Sequence, residues 1–169
     1  MLLDLYMVIE IHPSAKISKL ADIEDSIRGS KIIISSNVVI DSFVKIKPAG
    51  GIGDILIGSN SIINSGCVLY SGNGITIGKY VAIAANCTLA PVSHEYARRE
   101  LLIMSQGFRP SKGGILINDD VWIGANCVIL DGVQIGFGCV IGASSLVREN
   151  LDNYGIYVGN PLKRIGVRQ

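Results

Sequence analysis

The residue best suited to catalysis in this sequence is His94, which lies in the longest irregular segment, residues 91–116. A hydroxyl group that attacks a substrate is almost un-ionised at pH 7 and must lose its proton as it reacts. Imidazole, with a pKa of ~6.5 in water, is suited to take that proton. A surface histidine without a function is the alternative, but loops longer than ~12–15 residues are uncommon in compact domains unless they are functional. We therefore predict that His94 is a general base.

The other residues of reactive type give weaker signals. His12, in the first repeat, is expected to be exposed or to cap the structure. Two histidines are too few for a metal site of three imidazoles, and the four cysteines lack CxxC spacing. Cys67, Cys87 and Cys127 recur in one slot of a repeat, either as a metal or redox ladder or as small buried residues. Because Ala and Val take that slot elsewhere, we favour the second interpretation and expect no metal.

A repeat with a period of six residues must position these side chains. Aliphatic residues recur at this spacing, which is neither the 3.6-residue period of a helix nor the alternation of a simple strand. The clearest run is Ile117, Ile123, Ile129, Ile135, Ile141 and Val147, and earlier runs begin at Ile11, Ile34, Ile57 and Ile77. Four residues after each comes a small or branched residue, as at Ala15, Ile27 and Ser145. If both positions face inward, the chain is a parallel β-helix of about six coils stacked at ~4.8 Å.

Interruptions of the repeat follow groups of three hexapeptides. The spacing rises from six to 11 between Ile23 and Ile34, and to 28 between Leu89 and Ile117. Three hexapeptides make one coil of a triangular prism, so every insertion is expected at the same corner.

Asn or Gly often stands three residues after the aliphatic position, as at Asn37, Asn60, Asn86, Asn126, Gly66, Gly132 and Gly138. These residue types adopt a positive φ most easily, so this slot is expected to be a corner. A stack of repeats also needs capped ends. We predict one domain over residues 1–169, with caps at residues 1–10 and 148–169 and a catalytic loop at residues 91–116.

The composition excludes several classes of protein. The 169 residues carry a net charge of only +1, so no global positive field favours nucleic acid or an anionic membrane. No apolar stretch approaches the ~18 residues of a transmembrane helix, and the N-terminus lacks the basic region of a signal peptide. We therefore expect a cytoplasmic protein with free thiols.

The run IGANCVILDGVQIGFGCVIGASSLV resembles the hexapeptide-repeat acyltransferases, which fold as left-handed parallel β-helices. The segments NCTLAPVSHEYARRE, NDDVWIGANC, VIGASS and GNPLKRI resemble the sugar O-acetyltransferase branch, with its galactoside, maltose, xenobiotic and O-antigen acetyltransferases. This resemblance implies a homotrimer with active sites between subunits and acetyl-CoA as the co-substrate. It also implies that His94 is the catalytic base. The group that orients His94 and the donor of the oxyanion hole are left unassigned.

The resemblance implies further site residues, and each has a simpler alternative. Asn64 matches an asparagine that contacts the acceptor, or it is a solvated surface residue. Ala125 and Ala143 match residues that line the coenzyme A groove, or they are ordinary turn residues. The cofactor residues also include Trp122, expected to point outward beside the acetyl-CoA site, and Lys163 and Arg164, expected near the coenzyme phosphates or in a basic tail.

Four functions remain to be weighed. The first is acetyl transfer from acetyl-CoA to a sugar hydroxyl, and the second is N-acetylation of a nucleotide-linked amino sugar. A catalytically silent β-helix scaffold would leave the long loop without a role. The metal-dependent carbonic anhydrase of this fold needs three histidines per site, and this chain has two. Arg98, Arg99, Arg109 and Lys112 make the loop basic, which fits a nucleotide-linked acceptor or a solvated loop equally well.

Overall fold

The computed structural model describes residues 9–169, which form six coils of three short strands each. The first two coils contain β1 (Ile9–Ile11), β2 (Lys16–Ile17), β3 (Asp22–Ile23), β4 (Ile32–Ile34), β5 (Val39–Ile40) and β6 (Lys45–Lys47). The next two contain β7 (Ile55–Ile57), β8 (Ile62–Ile63), β9 (Val68–Tyr70), β10 (Ile75–Ile77), β11 (Ala82–Ile83) and β12 (Thr88–Ala90). The last two contain β13 (Ile115–Ile117), β14 (Trp122–Ile123), β15 (Val128–Leu130), β16 (Gln134–Ile135), β17 (Val140–Ile141) and β18 (Leu146–Val147).

Each coil adds one strand to each of three parallel sheets, which are the faces of the prism. The first sheet has the order β1-β4-β7-β10-β13-β16, and the third runs from β3 through β6, β9, β12 and β15 to β18. The second runs from β2 through β5, β8, β11 and β14 to β17, and two further strands, β19 (Gly155–Val158) and β20 (Lys163–Val167), extend it. The predicted parallel β-helix is confirmed.

The predicted internal ladders are confirmed in coils two to six. Strand pairing aligns Ile57 with Ile77 and Ile77 with Ile117 in the first sheet, and all three are at most 2% exposed. The equivalent residues of all three sheets are also buried: Ile34, Ile135, Ile40, Ile63, Ile83, Ile123, Ile141, Ile46, Leu69, Leu89, Ile129 and Val147. Burial of each such side chain contributes about 1.5–3 kcal/mol, so the repeat itself supplies the core.

The first coil departs from the prediction because it is the end of the stack among the described residues. Ile11 pairs with Ile34 but is 45% exposed, and Ile17 and Ile23 are half-buried. The inward orientation expected for Ile27 is wrong, because this side chain is 98% exposed. Ile27 lies in the insertion between β3 and β4, outside any strand, so the six-residue register does not apply to it.

The corners have the expected backbone geometry. Asn37, Asn60, Asn86 and Asn126 have φ between 57° and 61°. Phe43, Tyr80, Asp120 and Ser144 have equally positive φ in the same slot, which Asn and Gly alone did not reveal. A Cβ at Gly66 would lie 2.3 Å from the side-chain oxygen of Asn86 on the next coil, so a larger residue here would displace that asparagine side chain.

All four insertions lie between the third strand of one coil and the first strand of the next, as expected. They cover residues 24–31, 48–54, 71–74 and 91–114, and the last is the predicted loop. The loop ends two residues earlier than predicted, because β13 begins at Ile115. Of the predicted N-terminal cap, residues 9 and 10 belong to β1 and residues 1–8 lie outside the described residues.

The C-terminal segment covers the last coil. β19 pairs in parallel with β17 and antiparallel with β20, while Leu151 forms a bridge with Ile135. Leu151 and Tyr157 are 5% and 8% exposed, so both shield the end of the core. No helix within residues 9–169 is long and apolar enough to cross a membrane.

Candidate functional site

His94 is exposed and lies on a short two-stranded stem at the base of the long loop. The backbone N–H of Glu95 donates to the Gly107 carbonyl at 3.0 Å, and that of Arg109 donates to the Ser93 carbonyl at 2.8 Å. These bonds place His94 opposite Phe108 in an antiparallel bridge, with ring centroids 4.7 Å apart. The stem therefore presents the imidazole at a defined position, with one face against an aromatic ring.

Glu95 is directed into the loop rather than toward the imidazole. Its Oε1 accepts hydrogen bonds from the backbone N–H groups of Ala97 and Tyr96, at 2.9 and 2.7 Å, and lies 3.6 Å from Arg109 Nε. The backbone bonds, followed by the charge of Arg109, lower the pKa of the Glu95 carboxyl. Glu95 therefore stabilises the loop through Oε1, and it makes no hydrogen bond to His94.

Gln106 holds the outer part of the loop together. Its side-chain amide donates to the carbonyls of Arg98 and Leu101, at 2.9 and 3.2 Å, and its oxygen accepts from the Arg98 N–H at 3.1 Å. These bonds enclose the single-turn 3₁₀ helix Ile103–Ser105. The tip carries several exposed apolar side chains: Leu101, Leu102, Ile103 and Met104. The loop is thus ordered by its own polar bonds rather than by a buried apolar interior.

Asp131 anchors the returning end of the loop to the prism. One carboxylate oxygen accepts from the Gly114 N–H at 3.0 Å. The other accepts from the Lys112 N–H at 2.8 Å and from the Asn73 side-chain amide at 3.1 Å. Sequence reasoning missed this residue, because an Asp-Gly pair after a strand indicates only a turn.

Three of the residues matched to a coenzyme groove lie on or beside the second sheet. Trp122, in β14, is 51% exposed while its neighbour Ile123 is fully buried, so the predicted outward orientation of the indole is confirmed. Ala125 and Ala143 follow β14 and β17 at the corner between the second and third sheets. A Cβ at Gly124 would lie 2.5 Å from the Ala143 nitrogen, so successive coils stack closely here. This corner presents backbone and methyl groups, which would allow an extended ligand with amide groups to approach.

Lys163 and Arg164 are exposed at the start of β20. Arg164 lies 3.2 Å from the Asp152 carboxylate, and Lys163 pairs with Val158 in the antiparallel strand pair. Both cations therefore lie on β20, the last strand of the second sheet, and β14 of the same sheet carries Trp122.

Asn64 lies at the same corner as Ala125, two coils away, because Ile63, Ile83 and Ile123 are in register. Its side-chain amide donates to the Ile83 carbonyl at 2.8 Å. This bond holds Asn64 against the next coil, and within residues 9–169 its side-chain oxygen accepts no hydrogen bond.

The site residues therefore divide between two corners of one prism. The loop with His94 leaves the corner between the third and first sheets, whereas Asn64, Ala125 and Ala143 lie between the second and third. A single chain does not bring His94 together with the residues matched to the coenzyme groove.

The remaining reactive residues have ordinary structural roles. His12 is exposed, and its Nδ1 lies 2.9 Å from the Ser14 hydroxyl. All four cysteines are buried and free, and the thiol of Cys87 donates to the Gly124 carbonyl at 3.1 Å. Within residues 9–169, no group of three or more His, Cys, Asp or Glu side chains is placed to hold a metal ion.

Most of the thiols in this row have a raised pKa, so they are poor nucleophiles. A hydrogen bond with Cys127 lowers the pKa of Cys87, but interaction with Cys67 and burial outweigh it and raise the pKa to about 11. A hydrogen bond with Cys87 and burial also raise the pKa of Cys127, whereas a hydrogen bond with Cys87 lowers the pKa of Cys67 at the end of the row. Buried thiols of this kind fill space, as favoured from the sequence.

Comparison with known proteins identifies relatives of this chain. The family model "Bacterial transferase hexapeptide (six repeats)" matches residues 114–149. "Probable acetyltransferase Rv3034c" of Mycobacterium tuberculosis is 32% identical over 117 residues, which cover 69% of this chain and 38% of that protein. Chloramphenicol acetyltransferase of Klebsiella aerogenes is 45% identical over 56 residues, which cover 33% of this chain and 27% of that protein. The chain thus spans well under half the length of these two relatives.

A solved structure resembles nearly the whole chain. It is a variant of AntD, an N-acyltransferase from Bacillus cereus, in complex with dTDP-4-amino-4,6-dideoxyglucose and coenzyme A. The TM-score is 0.80 at 29% sequence identity, and the match covers 95% of this chain and 84% of AntD. The likeness therefore extends over the coils, the loop region and the C-terminal strands together.

Proposed function

Because this chain belongs to the hexapeptide-repeat acyltransferases, with their left-handed parallel β-helix, we propose that it transfers an acetyl group from acetyl-CoA to a sugar. The observation that carries the proposal is the position of His94. The loop stem holds an exposed imidazole at one corner of a rigid prism, where it can reach an acceptor that approaches from solvent. We place the reaction in the cytoplasm, where acetyl-CoA is available. Its acceptors would be precursors of polysaccharides.

In the proposed mechanism, His94 first takes a proton from the acceptor and then gives that proton to the leaving sulfur. A neutral ring nitrogen takes the proton from the acceptor hydroxyl as its oxygen attacks the thioester carbonyl carbon. The new C–O bond forms while the carbonyl electron pair moves onto oxygen, and a backbone N–H is the expected type of donor to that oxygen. When the C–S bond breaks, the imidazolium returns the proton to the departing sulfur, so the base is regenerated. The acetyl-CoA thioester supplies the activated acyl group.

The small residues of the second corner fit the coenzyme. Ala125 and Ala143 leave the backbone open to the amide groups of the pantetheine arm, and Trp122 offers an exposed apolar face beside them. Lys163 and Arg164 supply positive charge at the end of the same sheet for the coenzyme phosphates.

We place the complete site between subunits of a homotrimer. His94 and the groove residues occupy different corners of one chain, so a site that contains both needs two copies. A ring of three prisms with cyclic symmetry would repeat that contact three times and close it. The exposed apolar tip of the loop, from Leu101 to Met104, offers a surface to pack against the neighbouring copy.

N-acetylation of a nucleotide-linked amino sugar is the second candidate. It is favoured by the likeness to AntD, an N-acyltransferase whose complex holds such a sugar and coenzyme A. An amine is a better nucleophile than a hydroxyl once it is neutral, so His94 would then remove a proton from the nitrogen. The two candidates differ in the attacking atom and share the donor and the base.

A transfer assay tests the proposal. The protein is incubated with acetyl-CoA and a panel of free and nucleotide-linked sugars and amino sugars, and release of the coenzyme thiol is measured. We expect turnover with at least one acceptor, and we expect His94→Ala to lower it by about 10²–10⁴-fold while size-exclusion chromatography shows an unchanged assembly.

His12→Ala is the matched control and should retain wild-type turnover, because His12 lies in the first coil, away from the loop. Wild-type activity in His94→Ala would remove His94 as the base. No rise in the melting temperature of the wild-type protein with acetyl-CoA would contradict binding of the donor itself.

A further inference from the structure

The register of the loop stem sets the side chain of Phe108 directly against that of His94. The two backbone hydrogen bonds of the stem lie on either side of these residues, so His94 and Phe108 face each other without a backbone bond between them. In antiparallel strands, the Cα atoms of such a pair are only ~4.5 Å apart and both side chains point to the same face. The contact between the two rings therefore follows from the backbone pairing.

The opposite face of the stem carries charged side chains. Glu95 and Arg109 directly follow His94 and Phe108 in the chain, so strand alternation turns them to the other face. There Glu95 Oε1 lies 3.6 Å from Arg109 Nε, and the same oxygen accepts two backbone hydrogen bonds. These polar groups stabilise the far face of the stem but do not orient the imidazole.

The imidazole of His94 is held by ring packing rather than by a hydrogen bond. Within residues 9–169 its nitrogens make no hydrogen bond, whereas Nδ1 of His12 lies 2.9 Å from the Ser14 hydroxyl. The Phe108 ring centroid is 4.7 Å from that of His94, with 44° between the ring planes, and aromatic pairs at this distance are favourable. An exposed side chain otherwise samples several staggered rotamers. Contact with Phe108 thus restricts the imidazole and leaves both nitrogens available for proton transfer.

Phe108 is itself held in place from both sides along the chain. Two residues before it, the Gln106 side chain bonds to the backbone of Arg98. Directly after it, the Arg109 guanidinium lies 4.1 Å from the centre of the Tyr96 ring. A phenylalanine that is 48% exposed can therefore keep a fixed position without a buried core around it.

We propose that Phe108 is the positioning residue of the base, because its ring packs on the imidazole and fixes the orientation that proton transfer requires. The inference rests on the proposed function and adds one residue to that site. A general base must come within about 2.6–3.2 Å of the group whose proton it takes. An imidazole that samples other rotamers meets this condition for a smaller fraction of the time, so loss of Phe108 should lower kcat.

The kinetic test compares Phe108→Val with Phe108→Tyr. Valine suits a strand, so it preserves the stem but removes the ring, whereas tyrosine keeps the ring. We expect Phe108→Val to lower kcat by about three- to tenfold, the factor that matches the strength of an aromatic pair, and Phe108→Tyr to stay within about twofold of the wild type. KM for acetyl-CoA should change less than about twofold in both, because the residues matched to the coenzyme lie at another corner.

Phe137→Val is the matched control. The Phe137 ring also contacts an aromatic side chain, that of Tyr154, with centroids 5.4 Å apart, but it lies between β16 and β17, away from the loop. The same substitution there should leave kcat within about twofold of the wild type.

NMR of the histidine rings measures the contact independently of activity. The chain has two histidines, so His12→Ala identifies the signals of His94. At about pH 9 the imidazole is neutral, and the ring current of Phe108 displaces the carbon-bound ring proton signals of His94. We expect Phe108→Val to move these signals toward their positions in the unfolded chain. Phe108→Tyr and Phe137→Val should leave them in place.

Three results would overturn the inference. The first is wild-type kcat in Phe108→Val, or an equal loss of kcat in Phe108→Val and Phe108→Tyr, because the ring would then not be required. The second is a rise in KM for acetyl-CoA at unchanged kcat, which would assign Phe108 to the coenzyme. The third is an identical His94 signal in the wild type and Phe108→Val, whatever the activity.

The NMR result also separates this inference from the proposed function. If no acceptor is acetylated but Phe108→Val moves the His94 signals, the transferase proposal fails while the positioning of the imidazole by Phe108 stands. If acetylation is observed and the His94 signals do not respond to Phe108→Val, the transferase proposal stands and Phe108 has no positioning role.

Discussion

The wall of the prism and the loop that leaves it are stabilised by different physics. In the wall, each inward side chain packs on its equivalent one coil away, so Ile83 lies between Ile63 and Ile123 and all three are fully buried. In the loop, order comes from side-chain hydrogen bonds made by Glu95, Gln106 and Asp131. The apolar side chains at the loop tip remain exposed.

Because of this difference, the stability of the protein depends mainly on the wall and its activity mainly on the loop. Because the loop is held mainly by local polar bonds, few buried contacts depend on it. Its sequence, and with it the choice of acceptor substrate, can therefore change without disturbing the core. The wall can lose little, because each buried residue supports the coils above and below. Substitutions in the two regions should therefore have different signatures: loss of folding in the wall and loss of turnover in the loop.

The largest effect is expected from Ile63→Asp in the wall, compared with Ile62→Asp beside it. Ile63 is fully buried and Ile62 is 40% exposed, so the same change places a charge inside the prism or in solvent. An unpaired buried charge costs several kcal/mol, which is comparable with the whole stability of a domain at ~5–15 kcal/mol. Circular dichroism and soluble yield should show loss of folding only for Ile63→Asp, and a folded Ile63→Asp protein would refute the internal ladder.

A smaller effect is expected from Gln106→Ala in the loop. Loss of its bonds to Arg98 and Leu101 should loosen the segment beyond His94 and lower kcat by about fivefold, the factor that corresponds to about 1 kcal/mol. The melting temperature should shift by less than about 2 °C, because no core contact is lost. Gln134→Ala, an exposed glutamine on β16, is the control and should leave both kcat and melting temperature unchanged. Equal losses of kcat in the two variants would contradict the role of Gln106.

The smallest effect is expected from the cysteine row. With the pKa of Cys87 raised to about 11 and all four thiols buried, a thiol reagent at pH 8 should not react with the native protein but should titrate all four after denaturation. Cys87→Ala should lower the free energy of unfolding by about 1 kcal/mol, as expected for a small core truncation, and leave turnover within about twofold. Rapid reaction of native thiols would revive the redox interpretation.

The sequence was a good guide wherever the six-residue spacing applies and a poor one outside it. It predicted the inward columns, the corner of the insertions and the positive φ at Asn37 and Asn126, because identical coils stack in register. It misplaced Ile27, which matched the pattern by chance within an insertion. It also did not reveal that Phe43 and Tyr80 occupy left-handed corners, since their stacking neighbours, not their own preferences, decide the turn.

For the candidate site, the sequence indicated a loop with a histidine but not how that histidine is held. The antiparallel bridge to Phe108, the diversion of Glu95 into the loop and the anchoring of the loop by Asp131 all join residues that follow no spacing rule. Nor could spacing reveal that Arg148, at the end of β18, meets Arg109 and Lys112 of the loop around one cavity.

The sequence by itself determined the class of fold, the length of each coil and the one corner at which the insertions leave the prism. It could do so because every coil repeats the same six-residue spacing of aliphatic residues and stacks on the coil before it. Only the tertiary structure decided which polar groups meet across coils. It separated the proposed base from the small residues of the coenzyme corner. Those outcomes depend on contacts between segments far apart in the chain, which no local pattern encodes.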